Sequence, residues 1–425
     1  MKSIGQDTIH KFMGDTHDKT LLVITPDFPD EKNRYIGSIY VKDQIQYLKS
    51  FFKKIIVICP VLVSFKIMPN DRYCADYRYD NVSVYYPRCF FIPRKVPLMR
   101  YRRKLDFDFR FSAVMKCIQK HEIGFDLIHA HFTLPSAHCA NLLKEKYHVP
   151  YVITANEDSG WLQEEIDLAD PRIENAWIHA DQIMTINRKE IPKLEQYNPR
   201  TISVPYGFVQ KYSPLDMHAC RDVLNVPQDA KIVFTFGILQ KRKGLEYLIE
   251  AMDIIRKTRT DVQCYIGGKA EYEKSYETFI KKMVTELNIE DRVHFLGFMN
   301  APDIPAWINA CDLFVLPSLE EGFGIAQIEA LACGKPVIAT KNSGSMDILT
   351  DPDVGILCER ADPADFARGI LLGLTRSWDP EKIVKFSGKY RGENVAQIIL
   401  SVYQDVLSIE NLPKKDRQMI VGYRP

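Results

Sequence analysis

Short apolar runs alternate along the chain with longer stretches in which apolar residues recur every three or four positions. Residues 21–25 form a short apolar run of strand length, 54–59 is the next predicted strand, and 244–256 has helical periodicity. Such runs are typical of strands that are buried on both faces of a parallel sheet. Further strands are predicted at 126–130, 150–154, 182–186, 200–204, 231–236, 262–266, 293–295, 313–316 and 336–339. The alternation predicts an α/β protein with helices on both faces of parallel sheets.

The strand–helix pattern runs through two halves of similar size and restarts near residue 231, after a proline-containing segment at 205–214. We therefore predict two doubly wound Rossmann-like domains. The predicted divisions are an N-terminal domain over 1–205, a C-terminal domain over 206–388, and a C-terminal helix with its tail over 389–425 that packs back on the N-terminal domain. Ligands of open α/β sheets bind beyond the carboxyl ends of the strands, so two facing sheets would place the site in the cleft between them.

Composition and charge narrow the classes of function. Of the 425 residues, 46% are apolar and 26% are charged, as in ordinary soluble proteins. The formal net charge is only +1, which does not favour a nucleic-acid partner. Ten cysteines without a Cys-x-x-Cys pair suit buried, reduced thiols in a cytosolic enzyme, not a disulfide scaffold or a cysteine zinc site. We also expect no membrane span and no secretory signal, because no apolar run is long enough.

One segment combines a strand end, a glycine-rich turn and a helix start. Gly322 and Gly324 would let the backbone approach a ligand, and the free N–H groups of a helix start favour an anion such as a diphosphate. Glu321 and Glu329 have seven residues between them. Because carboxylates repel an anion, we expect them to accept hydrogen bonds from sugar and ribose hydroxyls instead. As a bare pair they are weak evidence, since a helix-start charge and a solvated helix face explain them as well.

The complete segment resembles the retaining glycosyltransferases of family 4 (glycosyl transferases group 1). It reads Pro317-Ser318-Leu319-Glu320-Glu321-Gly322-Phe323-Gly324, and then Glu329-Ala330 and Gly334-Lys335-Pro336-Val337. The resemblance implies a GT-B fold, in which two Rossmann-like domains face each other across a cleft. It also implies that Glu321 contacts the donor sugar, that Glu329 contacts the nucleotide ribose, and that Gly322, Phe323 and Gly324 bind the donor through the backbone. Retention at the anomeric carbon and front-face substitution are implied in the same way.

Three consecutive cations, Lys241, Arg242 and Lys243, follow a predicted strand. They could neutralise a departing nucleoside diphosphate, although a solvated loop explains them too. The family pattern here is Gly-Arg-…-Lys-Gly, and Lys243 matches its lysine, whereas Ile238 occupies the position of its arginine. We expect Lys243 to stabilise the diphosphate, with Arg242 as a further donor-binding cation. Arg242 or Lys241 could substitute for the missing arginine, although neither occupies the equivalent position. Helix amides and Lys243 would hold the diphosphate without a metal, so no metal or cofactor is predicted.

Weaker matches extend the resemblance over most of the chain. Gly297 lies in a segment that faces the nucleotide base in the family, and Gly37 matches a glycine turn near the donor phosphates, although an ordinary turn explains Gly37 equally. His131 ends a strand of the acceptor domain; a hydrogen-bonded histidine at a strand end is the alternative. Asn156 stands where the family has a histidine near the transferred sugar. We expect Asn156 to contact the donor sugar, with turn capping as the alternative.

Basic and apolar residues are interleaved at 90–110, and Arg100, Arg102 and Arg103 are among the basic ones. This pattern suits anionic lipid headgroups or a phosphorylated acceptor, while a solvated face over an ordinary helix is the alternative. Two Asp-x-Asp motifs, at 106–108 and 351–353, resemble the metal-binding motif of another glycosyltransferase fold. They lie in a predicted helix and a predicted turn, so we reject them as metal sites.

Taken together, these observations predict a cytoplasmic hexosyltransferase with peripheral contact at the inner membrane face through residues 90–110. It would transfer a sugar from a GDP- or UDP-linked donor to a glycan, lipid-linked or other hydroxyl acceptor in polysaccharide or glycoconjugate biosynthesis. Two alternatives stay open. One is a sugar-nucleotide epimerase on the same fold, and the other is a non-catalytic nucleotide-sugar-binding subunit, which Ile238 and Asn156 motivate.

Overall fold

The computed structural model describes residues 16–63, 73–90, 99–270 and 273–410. The chain divides into two compact units, each with its own largely parallel sheet. The first unit comprises Met1–Pro205 together with Val395–Pro425, and the second is Tyr206–Asn394. The mixed α/β architecture with parallel sheets in two units confirms the predicted fold class.

The first unit is built on an eight-stranded sheet in which only the last pair, β5 and β4, is antiparallel. In spatial order its strands are Thr201–Ser203 (β10), Gln182–Thr185 (β9), Tyr151–Ala155 (β8), Leu127–His131 (β7), Thr20–Ile24 (β1), Lys54–Ile58 (β2), Val82–Tyr85 (β5) and Tyr77–Tyr79 (β4). Two short strands, Val61–Val63 (β3) and Arg88–Phe90 (β6), pair with each other.

Helices cover both faces of this sheet. They are Ile39–Leu48 (α1), Met99–Lys120 (α2), His138–Tyr147 (α3), Ser159–Asp167 (α4), Pro171–Ile178 (α5), Ile191–Glu195 (α6) and the last helix of the chain, Gly392–Glu410 (α15). Strand β1 explains why both faces are covered: Leu21 packs into one hydrophobic cluster and Leu22 into the other. Helix α15 contributes Ile399 and Tyr403 to the cluster that contains Leu21, so this helix belongs to the core of the first unit.

The second unit contains a six-stranded, fully parallel sheet. Its strands in spatial order are Val293–Gly297 (β13), Val262–Gly267 (β12), Lys231–Phe236 (β11), Leu313–Leu316 (β14), Val337–Thr340 (β15) and Gly355–Cys358 (β16). Its helices are Met217–Leu224 (α7), Leu245–Arg256 (α8), Lys274–Glu286 (α9), Ile304–Ala310 (α10), Ile325–Ala332 (α11), Ser343–Ile348 (α12), Pro363–Thr375 (α13) and Pro380–Ser387 (α14). The chain runs outward from β11 in one direction and from β14 in the other. The strand order therefore reverses between β11 and β14, which is where open α/β sheets bind ligands.

Five strands were not predicted from the pattern of apolar residues. Strands β3, β4 and β6 have only three residues each, and β4 is partly buried, so they need no long apolar run; β5 is fully buried, but Ser83 interrupts its apolar residues. Strand β16 begins with Gly355, where a Cβ atom would lie 2.3 Å from the carbonyl oxygen of Val337. That glycine is needed for a close approach of two strands and does not break the strand.

Two further expectations concern cysteines and membranes. All ten cysteines are buried, as their scattered distribution predicts. Among the helices of the described ranges, none is both long enough and apolar enough to cross a membrane.

Candidate active site

The loops that follow β11 and β14 meet at the point where the strand order of the second unit reverses. The carbonyl oxygen of Arg242, after β11, accepts the N–H of Leu319, after β14, at 2.8 Å. The carbonyl oxygen of Ser318 accepts hydrogen bonds from the Thr340 hydroxyl and, at 3.3 Å, from the Asn342 amide, both at the end of β15. Hydrogen bonds thus join the ends of β11, β14 and β15, and the loops that follow these strands form a defined surface.

Glu321 is the centre of this surface. Its side chain is 7% exposed, and its Oε1 accepts hydrogen bonds from the Ser318 hydroxyl at 2.9 Å and from the Lys243 ammonium. The Arg242 guanidinium lies 3.6 Å from Oε2. Burial alone would raise the pKa of Glu321, but the charges of Lys243 and Arg242 and the two hydrogen bonds outweigh it and lower the pKa. The carboxylate is therefore ionised near neutral pH.

Two cations face this single carboxylate, which leaves a surplus of positive charge. Arg242 is held by its own contacts, since Nε donates to Gln240 Oε1 at 3.2 Å and Nη1 donates to the Glu320 carbonyl at 3.3 Å. Lys243 also lines a pocket at the end of β11, together with Ile238 and Ser318. The arrangement can attract an anion and can accept hydrogen bonds from hydroxyl groups.

Two glycines near these loops have positive φ angles, which a residue with a side chain rarely adopts. Gly268 has φ +124°, and a Cβ atom there would lie 1.8 Å from the Gly237 carbonyl oxygen. Gly324 has φ +88° and is the N-cap residue of α11; its carbonyl oxygen accepts the Gln327 N–H at 3.0 Å, and its own position provides no side-chain cap. The positive end of α11 therefore follows the Glu321 turn immediately, as the sequence predicted, and favours negative charge there.

The structure also locates the other residues expected to bind the donor. Gly322 is buried in the turn and Glu329 is half-buried in α11. The Phe323 ring is buried, with ring centroids 5.5 Å from Tyr206 and 5.9 Å from Tyr390. Its side chain is thus a packing group, and its carbonyl oxygen accepts a hydrogen bond from the Gln327 side-chain amide at 3.5 Å. Gly297 ends β13 with φ +71°, and its carbonyl oxygen accepts the Gly268 N–H at 2.7 Å.

In the first unit, Asn156 and His131 lie together at the carboxyl ends of β8 and β7. Asn156 Oδ1 accepts the Phe132 N–H at 3.2 Å and lies 3.2 Å from His131 Nδ1. Burial lowers the pKa of His131 to about 4, against the opposing effect of its bond to Asn156, so the imidazole is neutral at pH 7. Asn156 therefore fixes the adjacent loop, which is the capping role given above as the alternative to sugar contact. The two roles are compatible, because an amide has several hydrogen-bonding positions.

Sequence reasoning did not single out two residues that the structure places in these clusters. Ser318 bonds Glu321, and a hydroxyl three residues before a turn carboxylate was the available signal. Glu157 is buried, and its Oε1 accepts the Thr133 N–H at 2.6 Å. Burial raises the pKa of Glu157 to about 7. An acidic residue directly after a buried strand was the signal in that case.

Gly37 and the basic segment 90–110 belong to the first unit and precede His131 and Asn156 in the sequence. A Cβ atom on Gly37 would lie 2.6 Å from the Tyr35 hydroxyl and 2.7 Å from Asp27 Oδ2, so the Asp27–Tyr35 hydrogen bond closes over this turn. Arg100, Arg102 and Arg103 lie in the first turns of α2, and their side chains are outside the described residues, as is most of segment 90–98.

Comparison with known proteins agrees with this geometry. Residues 216–389 match the family model described as glycosyl transferases group 1. The chain is 25% identical over 378 residues to an uncharacterized glycosyltransferase of Methanocaldococcus jannaschii, which covers 88% of this chain and 95% of the relative. It is 26% identical over 311 residues to D-inositol 3-phosphate glycosyltransferase 2 of Catenulispora acidiphila, covering 67% and 69% of the two chains.

Solved structures show the same fold. Sucrose-phosphate synthase of Thermosynechococcus elongatus superposes with a TM-score of 0.71 at 21% identity and covers 92% of this chain and 99% of its own. Anabaena HepE, solved in complex with UDP and glucose, has a TM-score of 0.65 at 22% identity and covers 93% of this chain and 100% of its own. The resemblance stated from the sequence is thus confirmed: residues 216–389 match the glycosyl transferases group 1 model, and the chain has the GT-B fold of solved glycosyltransferases.

Proposed function

We propose that the chain transfers a sugar from a nucleoside diphosphate donor to a hydroxyl acceptor with retention at the anomeric carbon. The observation that carries the proposal is the contact of Lys243 and Arg242 with Glu321 at the strand-order reversal, next to the start of α11. Anions and hydroxyls are the two features of a nucleotide sugar that such a group of residues recognises. The complex of Anabaena HepE with UDP-glucose supports a donor of this class.

The reaction breaks the bond between the anomeric carbon and the diphosphate oxygen, and the electron pair leaves on that oxygen. Lys243, Arg242 and the positive end of α11 stabilise the developing charge. The acceptor oxygen forms the new bond on the same face of the sugar, and its proton passes to the leaving phosphate. Glu321 stays ionised and orients the sugar by accepting hydrogen bonds from its hydroxyls. In this step, no neutral side chain of the protein has to become charged.

Arg242 takes over the role of the cation that the family carries at the position of Ile238. Ile238 is 38% exposed and lines the same pocket as Lys243, so an apolar side chain stands where a guanidinium would otherwise meet a phosphate. Arg242 is adjacent in sequence to Lys243 and contacts the same carboxylate. We therefore assign the two-cation clamp to Arg242 and Lys243.

The remaining residues take supporting roles in this proposal. Glu329 binds the ribose, and Gly297, Gly322, Phe323 and Gly324 contact the donor through the backbone. Gly37 lies near the donor phosphates, Asn156 near the transferred sugar, and His131 near the acceptor. The acceptor is a glycan or lipid-linked hydroxyl, and the protein acts in the cytoplasm, in polysaccharide or glycoconjugate biosynthesis.

A thermal-shift panel of UDP, GDP, ADP and their sugar conjugates tests the donor class, because a ligand stabilises the folded state by an amount that rises with the logarithm of its concentration relative to Kd. At 100 times Kd the expected stabilisation is about 2.7 kcal/mol. The conjugate that stabilises most is then incubated with and without hydroxyl acceptors. Conversion of the donor sugar without acceptor would indicate the epimerase, and tight binding without turnover under any acceptor would indicate the binding subunit.

Peripheral membrane contact through residues 90–110 is tested separately. Liposomes with anionic lipids are sedimented with the wild type and with a variant in which Arg100, Arg102 and Arg103 are replaced by glutamine. We expect the variant to lose binding to anionic vesicles while keeping its donor-induced thermal shift. Equal sedimentation of both proteins would contradict this contact.

A further inference from the structure

A large aromatic side chain is exposed at the carboxyl edge of the first unit's sheet. Trp161 lies in the first turn of α4, which follows β8 after three residues, and it is 46% exposed. Its position is fixed by the helix cap, because the Trp161 N–H donates to Asp158 Oδ1 at 3.0 Å. A tryptophan so exposed presents a wide, flat apolar surface to solvent at a defined place.

The Trp161 ring packs on Phe132, which directly follows β7. The ring centroids are 5.6 Å apart, with 34° between the planes. Phe132 has φ +68°, and its N–H donates to the Thr154 carbonyl at 2.9 Å and to Asn156 Oδ1 at 3.2 Å. The next N–H in the chain donates to Glu157 Oε1. Phe132, on which Trp161 packs, is therefore held in place by the polar side chains of Asn156 and Glu157, which follow β8.

An exposed aromatic ring beside polar strand-end residues has the chemistry of a subsite for a polyhydroxylated ring. Such a ring carries C–H groups on one face, which stack on an aromatic surface, and hydroxyls around its rim, which need hydrogen-bond partners. A lipid chain would need a longer apolar surface, and an acyclic polyol has no flat face to stack. Trp161, which is 46% exposed, offers such an aromatic face, and Phe132, on which it packs, donates its N–H to Asn156 Oδ1 at 3.2 Å.

We propose that Trp161, supported by Phe132, is an acceptor subsite that stacks a six-membered polyhydroxylated ring. The ring is either the terminal sugar of a glycan or a free cyclitol, and both present the same C–H face. This inference rests on the proposed function, because a transferase needs an acceptor, and it adds the chemical class of that acceptor. Trp161 acts in binding and specificity and takes no part in the bond that is broken.

The kinetic test compares W161A and W161F with a matched control, Y147A. Tyr147 is also exposed, at 37%, and also packs on a phenylalanine, Phe125, with ring centroids 5.5 Å apart. It ends α3, which precedes β8, and so lies at the opposite, amino edge of the sheet. Release of nucleoside diphosphate is measured with methyl pyranosides, with myo-inositol and with glycerol as acceptors, which separates glycan ends, cyclitols and acyclic polyols.

We expect W161A to raise the KM for ring acceptors about tenfold, the loss that one stacked aromatic contact implies, with kcat little changed. W161F should change KM by less than about threefold, since it keeps a stacking face, and Y147A should match the wild type. Glycerol should show no dependence on residue 161. The donor-induced thermal shift should be the same in all variants, because the Trp161 ring is assigned to the acceptor and not to the donor.

A second measurement does not depend on turnover. Of the four tryptophans, Trp177 and Trp307 are buried and Trp378 is half-buried, so iodide should quench Trp161, which is 46% exposed, most strongly. Ring acceptors should protect this fluorescence, glycerol should not, and the W161F protein should lack the protectable signal.

Three outcomes are decisive. The subsite is overturned if W161A leaves the KM of every ring acceptor within twofold of the wild type, or if the wild type consumes donor while no ring compound stimulates turnover or protects Trp161. Protection of Trp161 only by another protein would assign it to a protein interface instead. If no nucleotide sugar binds or is consumed by the wild type, the proposed function itself has failed, which is a different result.

Discussion

The Lys243 ammonium and the Glu321 carboxylate form a largely buried ion pair that joins the ends of β11 and β14. These residues come from different loops, and only the strand-order reversal brings them together. Without a ligand, each side chain balances the charge of the other. Removing one of them therefore leaves a buried charge without this partner. The pair also places a cation for a phosphate beside an acceptor for a sugar hydroxyl.

The first prediction concerns Glu321→Gln. Glutamine can still accept the Ser318 hydrogen bond, but it cannot balance Lys243 or bind sugar hydroxyls as an ionised acceptor. We expect turnover to fall by about 100-fold or more, with a smaller change in nucleotide affinity. Glu250→Gln, which alters an exposed carboxylate on α8 of the same unit, is the control and should keep full activity. Turnover above half of the wild-type value in the Glu321 variant would refute the assigned role.

The second prediction restores a cation at the family's arginine position. Ile238→Arg should raise the affinity for UDP or GDP about tenfold, because one added charge-assisted hydrogen bond is worth about 1.5–3 kcal/mol, less the cost of ordering the side chain. Isothermal titration of wild type, Ile238→Arg and Ile238→Ala measures it. The alanine variant should show no gain. Unchanged affinity in the arginine variant would mean that the diphosphate does not approach this pocket.

The third prediction compares two glycine-to-alanine substitutions in the second unit. One destabilises the protein mainly by a steric clash with the backbone, and the other only by an unfavourable φ angle. Gly268→Ala would force a Cβ atom against the Gly237 carbonyl, and we expect a loss of about 3 kcal/mol or more in the free energy of unfolding. Gly297→Ala has nothing within 4 Å of the new atom and a φ of +71°, so strain alone should cost about 1–2 kcal/mol. Urea denaturation of both variants checks the order. Equal losses would contradict the crowding at Gly268.

The fourth prediction is a pH dependence of stability. Burial raises the pKa of Glu157 from 4.5 to about 7, so the folded state keeps a proton that the unfolded state has released. Its contribution to stability is present below pH 4.5 and is lost as the pH rises through 7. Glu157→Gln keeps an acceptor for the Thr133 N–H and cannot ionise. Relative to the wild type, it should therefore gain about 2 kcal/mol in the free energy of unfolding between pH 5 and pH 8.

Urea denaturation at several pH values measures this gain. Glu164→Gln changes an exposed carboxyl on the neighbouring α4 and should leave the pH profile as in the wild type. If the difference between Glu157→Gln and wild type stays constant over this range, the buried carboxyl does not titrate there.

The sequence predicted those parts of the fold whose cause is local. Continuous apolar runs such as 21–25 become strands buried on both faces, and the turn before α11 keeps the glycine that its φ requires. Edge strands such as β4 were not predicted, because they are only partly buried and need no apolar run. Local pattern is therefore informative where burial is complete and much less so at the margins of a sheet.

The site was predictable in its residue types and less so in its contacts. Glu321 and Lys243 could each be identified from the motif in which they lie, but 78 positions separate them, and no spacing rule shows that they bond. Glu157 and Thr133 are likewise brought together only by the pairing of β7 and β8. Contacts between distant segments depend on strand order, which the alternation of strands and helices does not specify.

Helix α15 has a consequence for how the polypeptide is made. Val395, Ile399 and Tyr403 complete the hydrophobic cluster around Leu21, and the Tyr403 hydroxyl bonds His129 at 2.7 Å. During synthesis, the first unit therefore cannot complete this cluster until α15 has left the ribosome, whereas all strands of the second unit precede α15 in the chain. Vectorial folding would finish the second unit's sheet first, leaving an apolar face of the nascent first unit in need of protection until α15 has been made.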